Sequence, residues 1–274
     1  MNFLSALIEH EFLRIVLVAG LLSGLGCGIV GSLVVVRRIT FLAGGIAHAV
    51  LGGLGLAHYF EFPPLLGAGL AACLAALLIG WISQCAKQRE DMLIGALWAV
   101  GMAVGIIAIA HTPGYNTDLM SYLLGNLLTV TSTQVIAMVV LDTVIIVVIY
   151  SFWQPLELTT FDEEYARARG LPTLGINLVI LVMVALSVVL MVQTVGLVLV
   201  MALLTMPAAA ALLFTTSLGR TMLITSLIAT SEIVFGLGLA FETDSPAGAT
   251  IVLVAACVYL LALAARSLLR ERSA

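Results

Sequence analysis

A chain of 274 residues that is 62% hydrophobic and 9% charged, with a mean hydropathy of +1.20 and a formal net charge of −4, is no soluble domain. Several of its apolar runs reach the roughly 20 residues a helix needs to cross a bilayer. β-Barrel alternation is absent from the sequence. A backbone in lipid must satisfy its own polar groups, so the expected fold is all-α: a polytopic transmembrane helical bundle, one domain over 1–274.

The first span is expected at about 12–36. It lacks a basic flank before it and reads as a span rather than a cleaved signal peptide. Gly20, Gly24 and Gly28 repeat at small-xxx-small spacing, which lets a neighbouring helix come close. A second span at about 40–60 carries His48 and ends near His58; a third follows Pro63 and Pro64 and returns to Lys87. A fourth covers about 91–111, and SYLLGNLLTV (121–130) is too short to cross alone, suiting a re-entrant or surface helix. The fifth, about 131–152, holds Asp142 and ends at Trp153, an interfacial anchor type.

Residues about 174–216 are expected to cross twice, turning near Gln193–Gly196. Pro207 interrupts the return leg, where freed backbone groups need a partner or a cavity. Spans at about 221–241, with Glu232, and 246–265 bring the total to about nine crossings, or eight if one short segment is re-entrant. Cys27, Cys73, Cys85 and Cys257 lie in or beside apolar runs without CxxC spacing, as small packing residues do.

The cations mark the sides. Arg37 with Arg38, Lys87 with Arg89, Arg167 with Arg169, Arg220, and Arg266, Arg270 and Arg272 punctuate the chain, with room for two crossings between consecutive clusters. The alternate connections, EFPP (61–64), HTPGYNTD (111–118) and FETDSP (241–246), carry acids and neither Lys nor Arg. This is the positive-inside pattern, and it sets residues 161–172 and the C-terminus in the cytoplasm. Arg14, near the start of the first span, is the exception.

The longest charge-dense stretch is FDEEYARARGLP, Phe161 to Pro172. Thr160 and Glu163 have capping-box spacing, so hydroxyl and carboxylate can each satisfy a free backbone N–H. Asp162, Glu163 and Glu164 fill a first turn, and Arg167 and Arg169 a last one, which suits the helix dipole at both ends. Glu163 and Arg167 are four apart in the favoured order. Gly170 supplies a left-handed stop and Pro172 prevents continuation. The stretch is expected to be a short capped helix, either a solvated loop helix or a docking helix for a cytoplasmic partner.

His48, Asp142 and Glu232 lie inside expected spans, where an ionisable group costs on the order of 2.5–3.5 kcal/mol. Each therefore needs a partner, water or a task. Imidazole and carboxylate from different helices suit a borderline divalent cation such as zinc, and would equally serve a proton relay. His58 with Glu61, and His111 with Asp118, fall at outer ends, as solvated loop groups or as an outer mouth that gathers cations. Other chemistries lack their motifs. There is no P-loop, no GxSxG, and His10–Glu11 fails HExxH because position 14 is Arg. A basic, aromatic-rich patch for nucleic acid is likewise missing.

Five segments, in order, resemble the membrane permeases of bacterial ABC importers for zinc, manganese and iron. They are VVRRITFLAGGIAHAVLGG (35–53), SYLLGNLLTVT (121–131), FDEEYARARGLP (161–172), VGLVLVMALLTMPAAAALL (195–213) and DSPAGATIVLVAA (244–256). The resemblance implies a homodimer in the bacterial cytoplasmic (inner) membrane. Two cytoplasmic ATPases and an extracytoplasmic metal-binding protein are the implied partners; the transported ion is cargo, and no permanent cofactor is implied. It also implies that Phe161, Asp162, Glu163, Glu164, Tyr165, Ala166, Arg167, Ala168, Arg169 and Gly170 form the coupling helix seated in the ATPase groove. Hydrolysis would belong to that separate chain, so the permease itself is not expected to be an enzyme.

One departure bears on the cargo. Members of the family commonly carry an Asp four residues before the His of the second span, and here position 44 is Gly. The expectation is that His48 remains a pathway ligand and that a carboxylate from another helix, Glu232 first, substitutes. Fewer hard oxygen ligands beside an imidazole favour zinc over manganese or iron. The competing expectation is a stand-alone, proton-coupled transporter or channel with Asp142 and Glu232 as relay groups.

Overall fold

Glycine decides which helices touch. The computed structural model describes residues 3–85, 90–112 and 130–271. Its helices are α1 (Phe3–Glu9), α2 (Glu11–Val36), α3 (Thr40–Tyr59), α4 (Pro64–Cys85), α5 (Glu90–Ala110), α6 (Ser132–Ser151), α7 (Trp153–Phe161), α8 (Glu163–Ala168), α9 (Thr173–Val195), α10 (Leu197–Leu212), α11 (Leu218–Thr243) and α12 (Ala247–Glu271). Among the described residues every regular element is a helix.

The expected glycine stripe of α2 lies against α11. A Cβ on Gly24 would stand 2.9 Å from the Thr230 backbone, and one on Gly28 would overlap the backbone of Ser226. Close backbone approach is thus what these glycines do; they line no pore there. A second glycine seam joins α3 to α5, where a Cβ on Gly55 would meet the Gly105 carbonyl oxygen at 2.5 Å. Helix α3 is wrapped by α4 and α5 and touches α9 and α10, whereas α11 packs on α2, α10 and α12.

Among the described residues, seven helices have the length and hydropathy of membrane spans: α2, α3, α4, α6, α9, α11 and α12. Two shorter apolar helices, Ile94–Ala110 and Leu197–Leu212, accompany them. The multi-pass helical bundle expected from composition is what the chain forms, with helix boundaries close to those expected. The turn between α9 and α10 falls at Gly196, whose φ of +85° is a backbone state that side chains disfavour. Pro207 sits inside α10 and is buried.

Two local features go beyond expectation. Helix α1 was not foreseen, and it accounts for Arg14: the guanidinium Nε donates to the Leu7 carbonyl at 3.1 Å and Nη2 to that of Ile8. A cation there occupies free carbonyls at the end of α1. The fifth span ends at Ser151, close to where it was expected, but Trp153 then opens a further helix, α7, after a break at Phe152. Pro155 lies in the first turn of α7, where a missing N–H is tolerated. Lys87, Arg89, Asp118, Arg272 and most of the 121–130 segment lie outside the described residues.

Candidate functional site

The charged stretch after α7 folds as a capped helix, with one correction. Thr160 is not its cap: α7 runs through Phe161 and takes Thr160 into its last turn. The cap is Asp162, extended at φ −148° and ψ 93°, whose Oδ1 accepts the Tyr165 N–H at 2.8 Å. A carboxylate N-cap both satisfies an orphan donor and faces the positive end of the helix dipole. Arg167 Nη2 donates to Glu163 Oε1 at 2.9 Å. Arg169 donates to the Tyr165 hydroxyl at 3.1 Å, its guanidinium 5.7 Å from that ring's centroid.

The stop is as expected. Gly170 has φ +78°, its N–H donates to the Arg167 carbonyl, and Leu171 N–H reaches back to Ala166. Ala166 is buried and anchors α8, while Glu164, Arg167, Ala168 and Arg169 are exposed. Phe161, at the end of α7, and Tyr165, on α8, are 57% and 48% exposed, large apolar surfaces in a stretch otherwise clothed in charge.

Behind α8 lies a cavity of about 950 Å³ reached by Arg37, Glu163, Glu164, Arg167, Thr173 and Asn177. Arg37 caps α2, and its Nη2 donates to Asn177 Oδ1 of α9 at 2.5 Å. Its Nη1 is buried with no hydrogen-bond partner. Burial pulls the Arg37 guanidinium below the usual arginine pKa, and the Glu163 carboxylate opposes that pull. The next residue, Arg38, has φ +60°, so the α2–α3 link is tight.

His48 is buried in α3, its ring stacked on Trp98 of α5 with centroids 4.1 Å apart and planes 21° apart. Its Nδ1 has no hydrogen-bond partner. A Cβ added at Gly44 would meet Met201 Cε at 3.1 Å and the Trp98 ring at 3.3 Å. The space one turn before His48 is thus occupied by an indole and a thioether end. Sequence reasoning passed over both residues. The signal for Trp98 was a tryptophan well inside a span rather than at its interfacial end; Met201 gave none.

Asp142 and Glu232 sit elsewhere. Asp142, on α6, is 5% exposed; its Oδ1 fills the space that a Gly26 side chain would take, and Oδ2 has no partner. Beside it, Cys27 Sγ donates to Met191 Sδ at 3.0 Å. Glu232, on α11, is 1% exposed, and neither carboxylate oxygen has a partner. No three His, Cys, Asp or Glu side chains gather into a cation-holding group among the described residues. The single chain therefore does not bring His48, Asp142 and Glu232 into one group.

At the far end of α3, His58 and Glu61 line a cavity of about 310 Å³ together with Thr112. His58 Nδ1–H donates to the Leu54 carbonyl at 3.0 Å and His111 Nδ1–H to that of Ile107 at 2.9 Å. A carbonyl-bound Nδ1–H fixes the tautomer and leaves the acceptor lone pair on Nε2. His111 is exposed and adjoins Thr112, so these groups share one end of the bundle.

The sequence matches the family model described as ABC 3 transport family over residues 9–266. It is 40% identical over 259 residues to "Uncharacterized membrane protein slr2045" of Synechocystis, spanning 94% of this chain and 92% of that one. To "Manganese transport system membrane protein MntC" of Halalkalibacterium halodurans it is 33% identical over 260 residues, 95% and 89% of the two chains. The fold is similar to a chain of PsaBC from Streptococcus pneumoniae, solved in complex with a Fab. There the TM-score is 0.86 at 31% identity, covering 95% of this chain and 94% of that one.

Proposed function

The chain belongs to the ABC 3 transport family, and from that footing we propose that two copies pass a divalent cation, zinc before manganese or iron, into the cytoplasm. It is a multi-pass permease of a metal-transporting ABC system and not itself an enzyme. In the proposed cycle an extracytoplasmic binding protein delivers the ion at the His58–Glu61 end. Cytoplasmic ATPases then drive the pair of permeases between two packed states through α8.

The observation that carries this reading is α8 itself. It is capped at both ends and anchored by buried Ala166, and Tyr165 on it and Phe161 just before it are exposed. Zinc is favoured by His48, a buried imidazole with an open Nδ1 and no carboxylate one turn earlier. Few, weak ligands suit a permease, since a closed ligand cage would hold its cargo. The second copy has apolar surface to meet, because Leu253, Leu260 and Leu261 of α12 are exposed, and the same surface suits lipid.

The test is co-purification with the ATPase, followed by charge reversal at Arg167→Glu with Arg169→Glu. The pair of changes is expected to abolish metal uptake while the protein still accumulates in the membrane. Retained uptake would contradict the proposal. A second reading is favoured by Asp142 and Glu232, two buried carboxylates, the first with one oxygen and the second with both lacking a partner, which suit a proton-coupled carrier working alone. That reading requires metal flux driven by a proton gradient with no ATPase present.

A further inference from the structure

Arg37 has one bonded nitrogen and one free one. Nη2 is held by Asn177, one turn into α9, while Nη1 is buried and lacks a partner. A buried guanidinium nitrogen left without a partner is costly. Across the shared cavity stands Glu163, whose Oε1 is engaged by Arg167 in an exposed pair four residues apart. Such exposed pairs contribute little to stability, so Glu163 can change partners readily.

The backbone around Arg37 is poorly suited to absorb motion. Arg37 N–H and Ile39 N–H bond back to Leu33 and Val34, and Arg38 is fixed at positive φ. A pull on the Arg37 side chain therefore acts on the ends of α2 and α9 together, with α3 following directly.

We propose that Arg37 is the positioning residue through which α8 moves the bundle: when α8 is pressed inward, Glu163 leaves Arg167 and closes on the free Nη1 of Arg37, while Asn177 keeps Nη2. The push then reaches α2, α3 and α9 as one displacement. This rests on the coupling function proposed above for α8, and extends it to a residue outside that helix.

The test uses the intact permease–ATPase complex in proteoliposomes, with zinc as the transported ion and ions moved per ATP hydrolysed as the readout. Arg37→Met and Glu163→Gln are each expected to lower that ratio roughly tenfold, a coupling loss within the usual range. Because the two act on each other, the double variant should fall no lower than the worse single one. Arg37→Lys should recover part of the ratio. A purely structural Arg37 would lower thermal stability and leave the ratio intact, which overturns the proposal, as do losses that multiply in the double variant. Should Arg37→Met fail to fold, Glu163→Gln on its exposed helix decides alone: an unchanged ratio overturns the proposal. Failure of the wild-type permease to hold any ATPase would instead condemn the function proposed for α8.

Discussion

Two regions of this protein treat charge in opposite ways. On α8, Asp162, Glu163, Arg167 and Arg169 all have partners within the same short segment and stand largely in solvent. In the bundle, His48, Asp142 and Glu232 are at least nine-tenths buried, and each has a polar atom with nothing to bond. Removing a charge from the first region forfeits tenths of a kcal/mol. Keeping a charge in the second costs several times more. The contrast teaches that α8 satisfies its charges locally, whereas the buried polar groups stand unpartnered at a cost to stability, which supports the proposal that they serve the cation path.

The contrast breaks most directly at the buried groups. His48→Ala and Glu232→Gln are each expected to cut metal uptake by roughly tenfold or more without loss of membrane protein, since the first removes an imidazole and the second a carboxylate from the proposed path. Normal uptake in either variant removes that residue from the path. Next in size is Gly28→Ala, which drives a methyl into the Ser226 backbone and should lower stability by about 1–3 kcal/mol. A thermal melt in detergent measures this, with Gly175→Ala, which meets nothing within 4 Å, as the silent comparison.

Gly44→Asp sharpens the comparison by adding hard oxygens one turn before His48. Met201 and Trp98 have to yield by a few tenths of an ångström to the Cβ and further to the carboxylate, and the manganese-to-zinc uptake ratio is expected to rise several-fold. A falling ratio would contradict the ligand argument. The smallest effect belongs to Arg167→Ala, which removes the Glu163 pair and should shift stability by no more than about 0.5 kcal/mol.

Much of the fold was legible because membrane spans announce themselves through length and hydropathy. The glycine spacing of α2 and the stop at Gly170 follow from local chemistry, and both are where they were expected. The capping residue was misplaced by two positions, because α7 competes for Thr160 and nothing nearby marks where α7 ends. The site was less legible. His48, Asp142 and Glu232 stand out as ionisable groups in apolar runs, yet which helices meet is a long-range matter. Their separation within one chain, the Trp98 stack and the Arg37–Asn177 bond all depend on packing between segments far apart in sequence.

The most direct measurement is zinc flux into proteoliposomes holding the permease with and without its ATPase. The account predicts flux only with the ATPase and ATP present, and its loss when Arg167 and Arg169 become Glu. Zinc entering at full rate through the permease alone would contradict it.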